Sequence, residues 1–414
     1  MVDDSRATPP GVASLSCMSR RLLPFVLALL VLAIGVPAAE ARVRTGPAGT
    51  AFYTPPSPLP GKAHGDLIWA RKLTGPAALS SARSNRLVLY RSTGSDGKPI
   101  AVSGTVSIPK GKKPRGGWPV ITYGHGTTGI ADQCAPSRDT ASDPVHQYHA
   151  YVYPLLNRWL KAGYAVVRTD YQGLGTPGVH QFLNGREEGR SMLDMVRAAR
   201  KLDSSLSRKR VAVAGHSQGG HAALWAAALA PSYARDVKVA GTVAFAPASH
   251  LGEQGAILPT LDSPLGGLGA FAALLIRAVD DEHPSLNVGS GLSERAAALY
   301  PQTLTECLGP LGRPDSFGGL KGTQFFRDGY DRAPLLAAIG AGDPEGLRIR
   351  TPVRIEQGTK DATVLPPFTE QLRDEYRKRH NPTTYKAYKG VTHGGIVVAA
   401  AKDATRFLAA RLGR

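Results

Sequence analysis

The segment that most limits how this chain can fold is residues 215–219, with the sequence GHSQG. It directly follows residues 211–214, an apolar run typical of a buried strand, and precedes a small-residue helical pattern at 221–230. A turn between strand and helix at this point holds the serine in a strained conformation, and glycines avoid collisions on either side. We interpret the segment as a turn that presents Ser217 as a nucleophile. The alternative is a tight turn with an incidental serine.

Strand-like runs alternate with helical patterns along most of the chain. The predicted strands are residues 86–90, 101–108, 120–123, 164–169, 211–214, 239–245, 353–357 and 384–388, and the predicted helices are 149–162, 187–202, 221–230, 366–379 and 395–412. This alternation predicts a mostly parallel sheet with helices on both faces. Residues 248–348 break the rhythm, so we predict a helical cap there, inserted into a core formed by 42–247 and 349–414. With the serine turn, the pattern indicates an α/β-hydrolase fold.

A serine hydroxyl needs a general base, and this fold places the acid and then the histidine after the serine. His393 lies in the loop between the last predicted strand and the last helix. Asp361 follows the strand at 353–357, from where a carboxylate can orient that histidine. The weaker alternatives are Asp170 and Glu356 for the acid, and His221, His250, His283 and His380 for the base. We predict the triad Ser217, Asp361 and His393.

The reaction also needs two backbone N–H groups to hold a developing oxyanion. One donor is predicted at Gln218, directly after the nucleophile. The second is predicted in the glycine-rich loop after the strand at 120–123, where we favour Thr127 over Gly126 or Thr128.

The N-terminal residues resemble an export signal. Arg20 and Arg21 precede an apolar run at 22–36, which is too short to span a bilayer comfortably, and an Ala-x-Ala pattern ends at Ala41. We predict a signal peptide at 1–41, cleaved near Ala41, and a secreted protein; a membrane anchor is the alternative.

Two cysteines remain after cleavage, Cys134 and Cys307, either joined in a disulfide or left as free buried thiols.

The chain carries a formal net charge of +18. Its basic residues are scattered, with short clusters at 110–115 and 208–210, and no nucleic-acid motif accompanies them. Such a surface favours anionic lipid or acidic polymers, or simply solubility.

His146 and His149, with Asp143, have the spacing of a metal pair, but no third ligand is evident and we expect a solvated loop without metal.

These residues together resemble the secretory lipases, a family with fungal lipase A-like and actinobacterial members. The matching pieces are residues 52–56 (FYTPP), 134–137 (CAPS), the serine turn at 215–220, Asp361 and His393, in the same order. The resemblance implies hydrolysis of triacylglycerols or other carboxylic esters, a cap over the site, and a bridge between Cys134 and Cys307. Where the fungal enzymes carry an acidic residue in the oxyanion loop, this chain has Thr127 and Thr128.

We therefore expect a secreted lipase or esterase that works through an acyl-enzyme without a cofactor. Its expected partner is a lipid or small ester, with transient contact at a lipid interface; we expect a monomer that does not bind nucleic acid. Two other functions stay open. One is an acyltransferase or peptidase that uses the same triad, and the other is a catalytically inactive protein that binds surfaces through its basic face.

Overall fold

The computed structural model describes residues 43–142 and 145–413, so the predicted signal peptide and Asp143 lie outside the described residues. Within them nine strands form one sheet. The strands are β1 (Leu67–Lys72), β2 (Ala82–Thr93), β3 (Pro99–Pro109), β4 (Trp118–Gly124), β5 (Ala165–Thr169), β6 (Leu206–His216), β7 (Val239–Phe245), β8 (Val353–Gly358) and β9 (Thr383–Tyr388).

The sheet has the spatial order β1-β2-β3-β5-β4-β6-β7-β8-β9. The first three strands are antiparallel, and β3 also pairs antiparallel with β5. From β5 to β9 every neighbouring pair is parallel. The predicted mostly parallel sheet is therefore confirmed. Every residue of β4 and of β5 is buried, as expected for strands covered on both faces.

Twelve α-helices are described along the chain. They are α1 (His146–Ala150), α2 (Tyr153–Lys161), α3 (Gly185–Leu202), α4 (Gln218–Tyr233), α5 (Leu251–Ile257), α6 (Gly267–Glu282), α7 (Glu294–Leu299), α8 (Leu308–Leu311), α9 (Ala333–Ala341), α10 (Pro366–Lys378), α11 (Gly395–Ala399) and α12 (Ala401–Leu412). None of the helices that are described combines the length and apolarity needed to cross a membrane.

Helices cover both faces of the sheet, as predicted. On one face, Met192 and Leu193 of α3 and Leu224 of α4 share a buried cluster with sheet residues. On the other face, Trp159 of α2 and Leu408 of α12 belong to a second buried cluster. The two clusters bury the opposite faces of the same parallel strands, which gives the three-layer arrangement of an α/β-hydrolase.

The segment between β7 and β8 contains helices α5–α9, and we call residues 248–348 the helical insertion. It has its own buried cluster, which includes Leu274, Leu311 and Phe317. Residues Val43–Arg414 nevertheless form one compact unit, so the boundaries of the predicted cap stay a prediction. A disulfide joins Cys134, in the loop after β4, to Cys307 in the insertion, 173 residues later, which confirms that expectation.

Candidate active site

Ser217 lies in the predicted turn, between the last residue of β6 and the first residue of α4. Its backbone has φ 58° and ψ −120°, a strained region for a residue with a side chain. A Cβ atom on Gly215 would lie 1.9 Å from the carbonyl oxygen of Gly219, and one on Gly219 would lie 1.9 Å from that of Gly124. Both glycines are therefore required by this close packing, which holds the serine at the carboxyl end of β6.

Asp361 and His393 are brought together by the loops that follow β8 and β9. The Nδ1 atom of His393 lies 2.7 Å from Oδ2 of Asp361. The carboxylate is buried and also accepts hydrogen bonds from the N–H groups of Thr363 (2.9 Å) and Val364 (2.8 Å). Gln357 donates its side-chain amide to the same Oδ2 atom (3.1 Å). Because a carboxylate can only accept a hydrogen bond, the proton of the neutral imidazole lies on Nδ1. The Nε2 atom of His393 is then without a proton and can act as a base.

His216 links the serine turn to His393, a contact that the sequence analysis missed. Its Nε2–H donates to the backbone carbonyl of His393 (3.0 Å), and the two rings lie 4.4 Å apart between centroids. The Tyr151 hydroxyl donates to Nδ1 of His216 (2.5 Å). Burial, and next the nearby His393, lower the pKa of His216 well below its usual range. A neutral imidazole thus holds the loop of His393 beside the residue that precedes Ser217.

The two predicted oxyanion donors lie on the same cavity as Ser217. Gln218 is the first residue of α4, where backbone N–H groups have no partner within the helix. Thr127 follows β4, and Thr127 and Gln218 both line the cavity with Ser217. The carbonyl oxygen of Thr128, one of the alternatives, accepts from the N–H of Leu308 (2.9 Å).

A second buried polar group, also missed from the sequence, supports Gln218. The side-chain amide of Gln218 donates to Oε1 of Glu188 (2.7 Å) and to Nε2 of His180 (2.9 Å). His180 can accept there because its Nδ1–H donates to the carbonyl of Gln172 (2.8 Å). Glu188 also accepts from the N–H of Leu183 (3.0 Å), so three chain segments converge on the residue after the nucleophile.

The weaker sequence alternatives have other partners. Asp170 is buried and accepts from the Ser103 hydroxyl (2.7 Å) and the Ser137 N–H (3.0 Å); burial raises its pKa. Glu356 pairs with Arg354 at 2.8 Å. The side chains of the other histidines contact groups outside the Ser217 turn. His221 donates to the carbonyl of Gly342 (2.7 Å), and His250 lies 3.1 Å from Glu345. His283 lies 3.9 Å from Glu282, and His380 is exposed.

The histidine pair at 146 and 149 is less solvated than expected. His149 is buried, and its ring lies 3.2 Å from Oδ1 of Asp139. His146 lies 2.9 Å from the same carboxylate, and Tyr153 donates to it at 2.8 Å. Among residues 43–142 and 145–413, no cluster of three or more His, Cys, Asp or Glu residues could hold a metal ion.

A cavity of about 320 Å³ opens beside Ser217. Most of its wall is apolar and comes from the helical insertion. The large apolar side chains from the insertion are Leu251, Ile257, Leu258, Leu261, Leu268, Phe271, Leu275, Ile276, Phe326, Leu335, Leu336 and Ile339, and Ala248 and Ala272 also line the cavity. Loop and helix residues after β8, among them Val364, Leu365 and Phe368, complete the wall. Residues 265–276, which form an apolar run in the sequence, lie mostly in α6, where Leu274 is buried and Leu268 is 40% exposed.

Comparisons with known proteins agree with this architecture. The family model described as "Secretory lipase" matches residues 147–310. Lipase A of Moesziomyces aphidis is 29% identical over 299 residues, which are 70% of this chain and 62% of that protein. A Mycobacterium tuberculosis protein named "Probable inactive lipase MT1628" is 27% identical over 259 residues, 58% of this chain and 53% of that protein.

Among solved structures, Candida antarctica lipase A in its closed state superposes with a TM-score of 0.70. It is 22% identical, and the match covers 85% of each chain, which shows the shared fold. The chain spans between half and two thirds of the length of the two curated relatives. Over the matched regions the chain is therefore similar to the secretory lipases, and it has the α/β-hydrolase fold.

Proposed function

We propose that the protein hydrolyses carboxylic esters of apolar acyl chains, as a triacylglycerol lipase or esterase, with Ser217 as the nucleophile. The observation that carries the proposal is the hydrogen bond of 2.7 Å between Asp361 and His393, in loops that His216 connects to the strained Ser217 turn. A serine at such a turn, a histidine whose tautomer a buried carboxylate sets, and adjacent backbone donors are the parts that acyl transfer needs.

In the proposed reaction, Nε2 of His393 takes the proton of the Ser217 hydroxyl while its oxygen bonds to the ester carbonyl carbon. The N–H groups of Gln218 and Thr127 stabilise the resulting oxyanion. Collapse of this intermediate breaks the ester bond, and His393 returns the proton to the departing alcohol. Water, activated by the same histidine, then releases the acid from Ser217 and restores the enzyme.

The cavity supports an apolar acyl chain as the part of the substrate that is bound. Its wall is formed mainly by leucine, isoleucine and phenylalanine. Each methylene of an acyl chain that is buried against this wall contributes about 0.8 kcal/mol to the free energy of binding. Four of its lining residues are also exposed large hydrophobics: Ile257 (51%), Leu261 (36%), Leu268 (40%) and Leu365 (44%). An exposed apolar group beside such a cavity suits transient contact with a lipid interface, which we include in the proposal.

We also propose that the protein is exported and cleaved near Ala41. The family's description as secretory lipases and the disulfide between Cys134 and Cys307 support this, because disulfides persist mainly in oxidising compartments.

The proposal is tested by initial rates on p-nitrophenyl esters from acetyl to palmitoyl and on emulsified tributyrin and triolein. Ser217→Ala is expected to lose essentially all activity. Ser232→Ala, which removes an exposed hydroxyl elsewhere in α4, is the matched control and is expected to keep the wild-type rate. Equal rates in wild type and Ser217→Ala would contradict the assignment.

Other outcomes would point to the alternatives. An inactive wild-type protein would favour the non-catalytic reading, for which the relative named as a probable inactive lipase is a precedent. Ester exchange that outruns hydrolysis when an alcohol is added would favour an acyltransferase, and release of amines from peptides would favour a peptidase.

A further inference from the structure

The excess positive charge of the chain is concentrated at the edge of the sheet opposite Ser217. We call this the basic edge and define it as residues 110–115, 208–210, 235–238, 348–350 and 377–379. These segments precede or open the parallel strands β4, β6, β7, β8 and β9. They contain fourteen Lys and Arg residues and one acidic residue, Asp236. The two clusters noted in the sequence, 110–115 and 208–210, therefore belong to one larger feature.

Hydrogen bonds from arginine side chains to backbone carbonyls connect the first three segments. Arg210 donates from Nη2 to the carbonyl of Arg115 (3.1 Å). Arg200, at the end of α3, donates both to the carbonyl of Arg208 (2.9 Å) and to that of Asp236 (3.2 Å). Neighbouring strands are about 4.8 Å apart, so the five strand starts extend over roughly 20 Å.

Two further contacts connect the last three segments. The N–H of Thr242, near the start of β7, donates to the carbonyl of Pro352 just before β8 (2.9 Å). The N–H of Ile349 donates to the side chain of Asn381 (3.0 Å), in the turn before β9.

The positive charge of the basic edge is largely uncompensated. Arg377 lies 3.6 Å from Asp374, and in the described part of the chain no other basic side chain of the edge forms an ion pair. Asp236, the acidic residue within it, pairs instead with Arg197. Burial lowers the pKa of Arg200, and repulsion from Arg208 acts in the same direction. Exposed like charges that are kept close together despite repulsion favour a multivalent anion as their partner.

We propose that the basic edge binds a linear polyanion, a polymer whose repeating units carry phosphate, sulfate or carboxylate groups. A row of exposed cations without a pocket suits a flexible chain of charges better than a small anion. Nine residue steps along β6, from Arg208 to Ser217 just after the strand, separate the edge from the nucleophile by about 30 Å. A bound polymer would therefore leave the apolar cavity free.

The same geometry argues against an anionic lipid layer as the partner. If the basic edge lay on a membrane, the cavity and its exposed apolar residues would face away from that membrane. Binding of a polymer, in contrast, would hold the enzyme at a charged matrix with its cavity directed outward. This inference does not depend on the reaction proposed for Ser217.

The test compares binding of full-length mature protein to long-chain inorganic polyphosphate, to heparin and to phosphatidylglycerol vesicles, at several salt concentrations. The test variant changes four exposed residues of the edge: Lys112→Glu, Lys113→Glu, Arg208→Glu and Lys209→Glu. We expect salt-sensitive binding of wild type to at least one polymer, weakened about tenfold or more in this variant. An unchanged far-UV circular dichroism spectrum and thermal unfolding midpoint check that the variant is folded.

The matched control changes four exposed basic residues elsewhere: Arg295→Glu, Arg313→Glu, Arg327→Glu and Lys389→Glu. It lowers the net charge equally, and we expect its polymer affinity to stay within about threefold of wild type, because distant charges are screened. Equal losses in the two variants would overturn the proposal by assigning the binding to net charge. Absence of polymer binding by wild type would overturn it, as would edge-dependent binding to the vesicles alone.

Discussion

The sheet and the helical insertion contribute different parts of the proposed enzyme. Loops at the carboxyl ends of β4, β6, β8 and β9 carry the residues proposed for chemistry, and short hydrogen bonds hold Asp361 and His393 in place. The insertion supplies most of the cavity wall through side chains that contact one another without directional bonds. We therefore expect changes in the sheet loops to lower the rate of hydrolysis of every ester, whereas changes in the insertion should alter the preference among esters of different acyl length.

The largest expected effect comes from the sheet side. Asp361→Asn keeps the shape of the side chain but offers an amide that can donate to Nδ1, which favours the wrong tautomer of His393. We expect kcat/KM to fall about ten-thousandfold on short and long esters alike. The measurement compares kcat/KM of wild type and Asp361→Asn on esters of increasing acyl length. A loss restricted to long esters would break the distinction between the two regions.

The disulfide cross-links the two regions, and its removal is expected to have the next largest effect. Replacing both Cys134 and Cys307 by serine releases a loop of 173 residues in the unfolded chain. We expect the free energy of unfolding to fall by roughly 2 to 5 kcal/mol, measured by denaturant unfolding with activity as a second probe. Unchanged stability would show that the insertion is held to the sheet by noncovalent packing alone.

A change in the insertion sharpens the comparison from the other side. Ala272 lies in α6 and lines the cavity, so Ala272→Phe fills part of the space assigned to the acyl chain. We expect kcat/KM on palmitoyl esters to fall about tenfold to a hundredfold, with acetyl esters nearly unaffected. Ala298→Phe, at an exposed position of α7, is the control. An equal fall on both esters would assign Ala272 to general stability and contradict its role in selection.

The smallest expected effect is the change in stability over a single pH unit that comes from a buried carboxyl group in the sheet layer. Burial raises the pKa of Glu187 in α3 to about 8. The unfolded chain releases this proton near pH 4.5, whereas the folded chain holds it until about pH 8. Stability is therefore full below the unfolded pKa and declines as the pH rises through this window, by about 1.4 kcal/mol per unit.

The change Glu187→Gln is expected to flatten that decline, as followed by chemical denaturation at several pH values. Glu294→Gln, which removes an exposed carboxylate at the start of α7, should leave it unchanged. Parallel curves for wild type and Glu187→Gln would contradict the assigned ionisation.

The two regions also differ in how far the sequence predicts them. Most of the parallel strands were predicted because they are short apolar runs that both faces bury, as in β7 (Val239–Phe245). The strand β1 (Leu67–Lys72) was missed, since it lies at the edge of the sheet and has only three buried residues. One predicted helix, 149–162, is divided into α1 and α2, where Pro154 in the first turn of α2 favours a new helix start.

In the candidate site, the chain order and strand ends were enough to predict that Asp361 and His393 would meet. Their supporting residues could not be predicted, because Tyr151, His216 and Glu188 come from separate segments and show no periodic pattern. The cavity depends on how short helices of the insertion pack, for which the sequence gives composition but no geometry.

The central claim is that Ser217 is the nucleophile, and covalent labelling tests it most directly. Wild-type protein would be treated with a fluorophosphonate probe, digested and examined by mass spectrometry, alongside Asp361→Asn and Ser217→Ala. The account predicts rapid modification of the peptide that contains Ser217, much slower modification in Asp361→Asn, and none in Ser217→Ala. Modification at another residue, or an active protein that the probe does not label at Ser217, would contradict it.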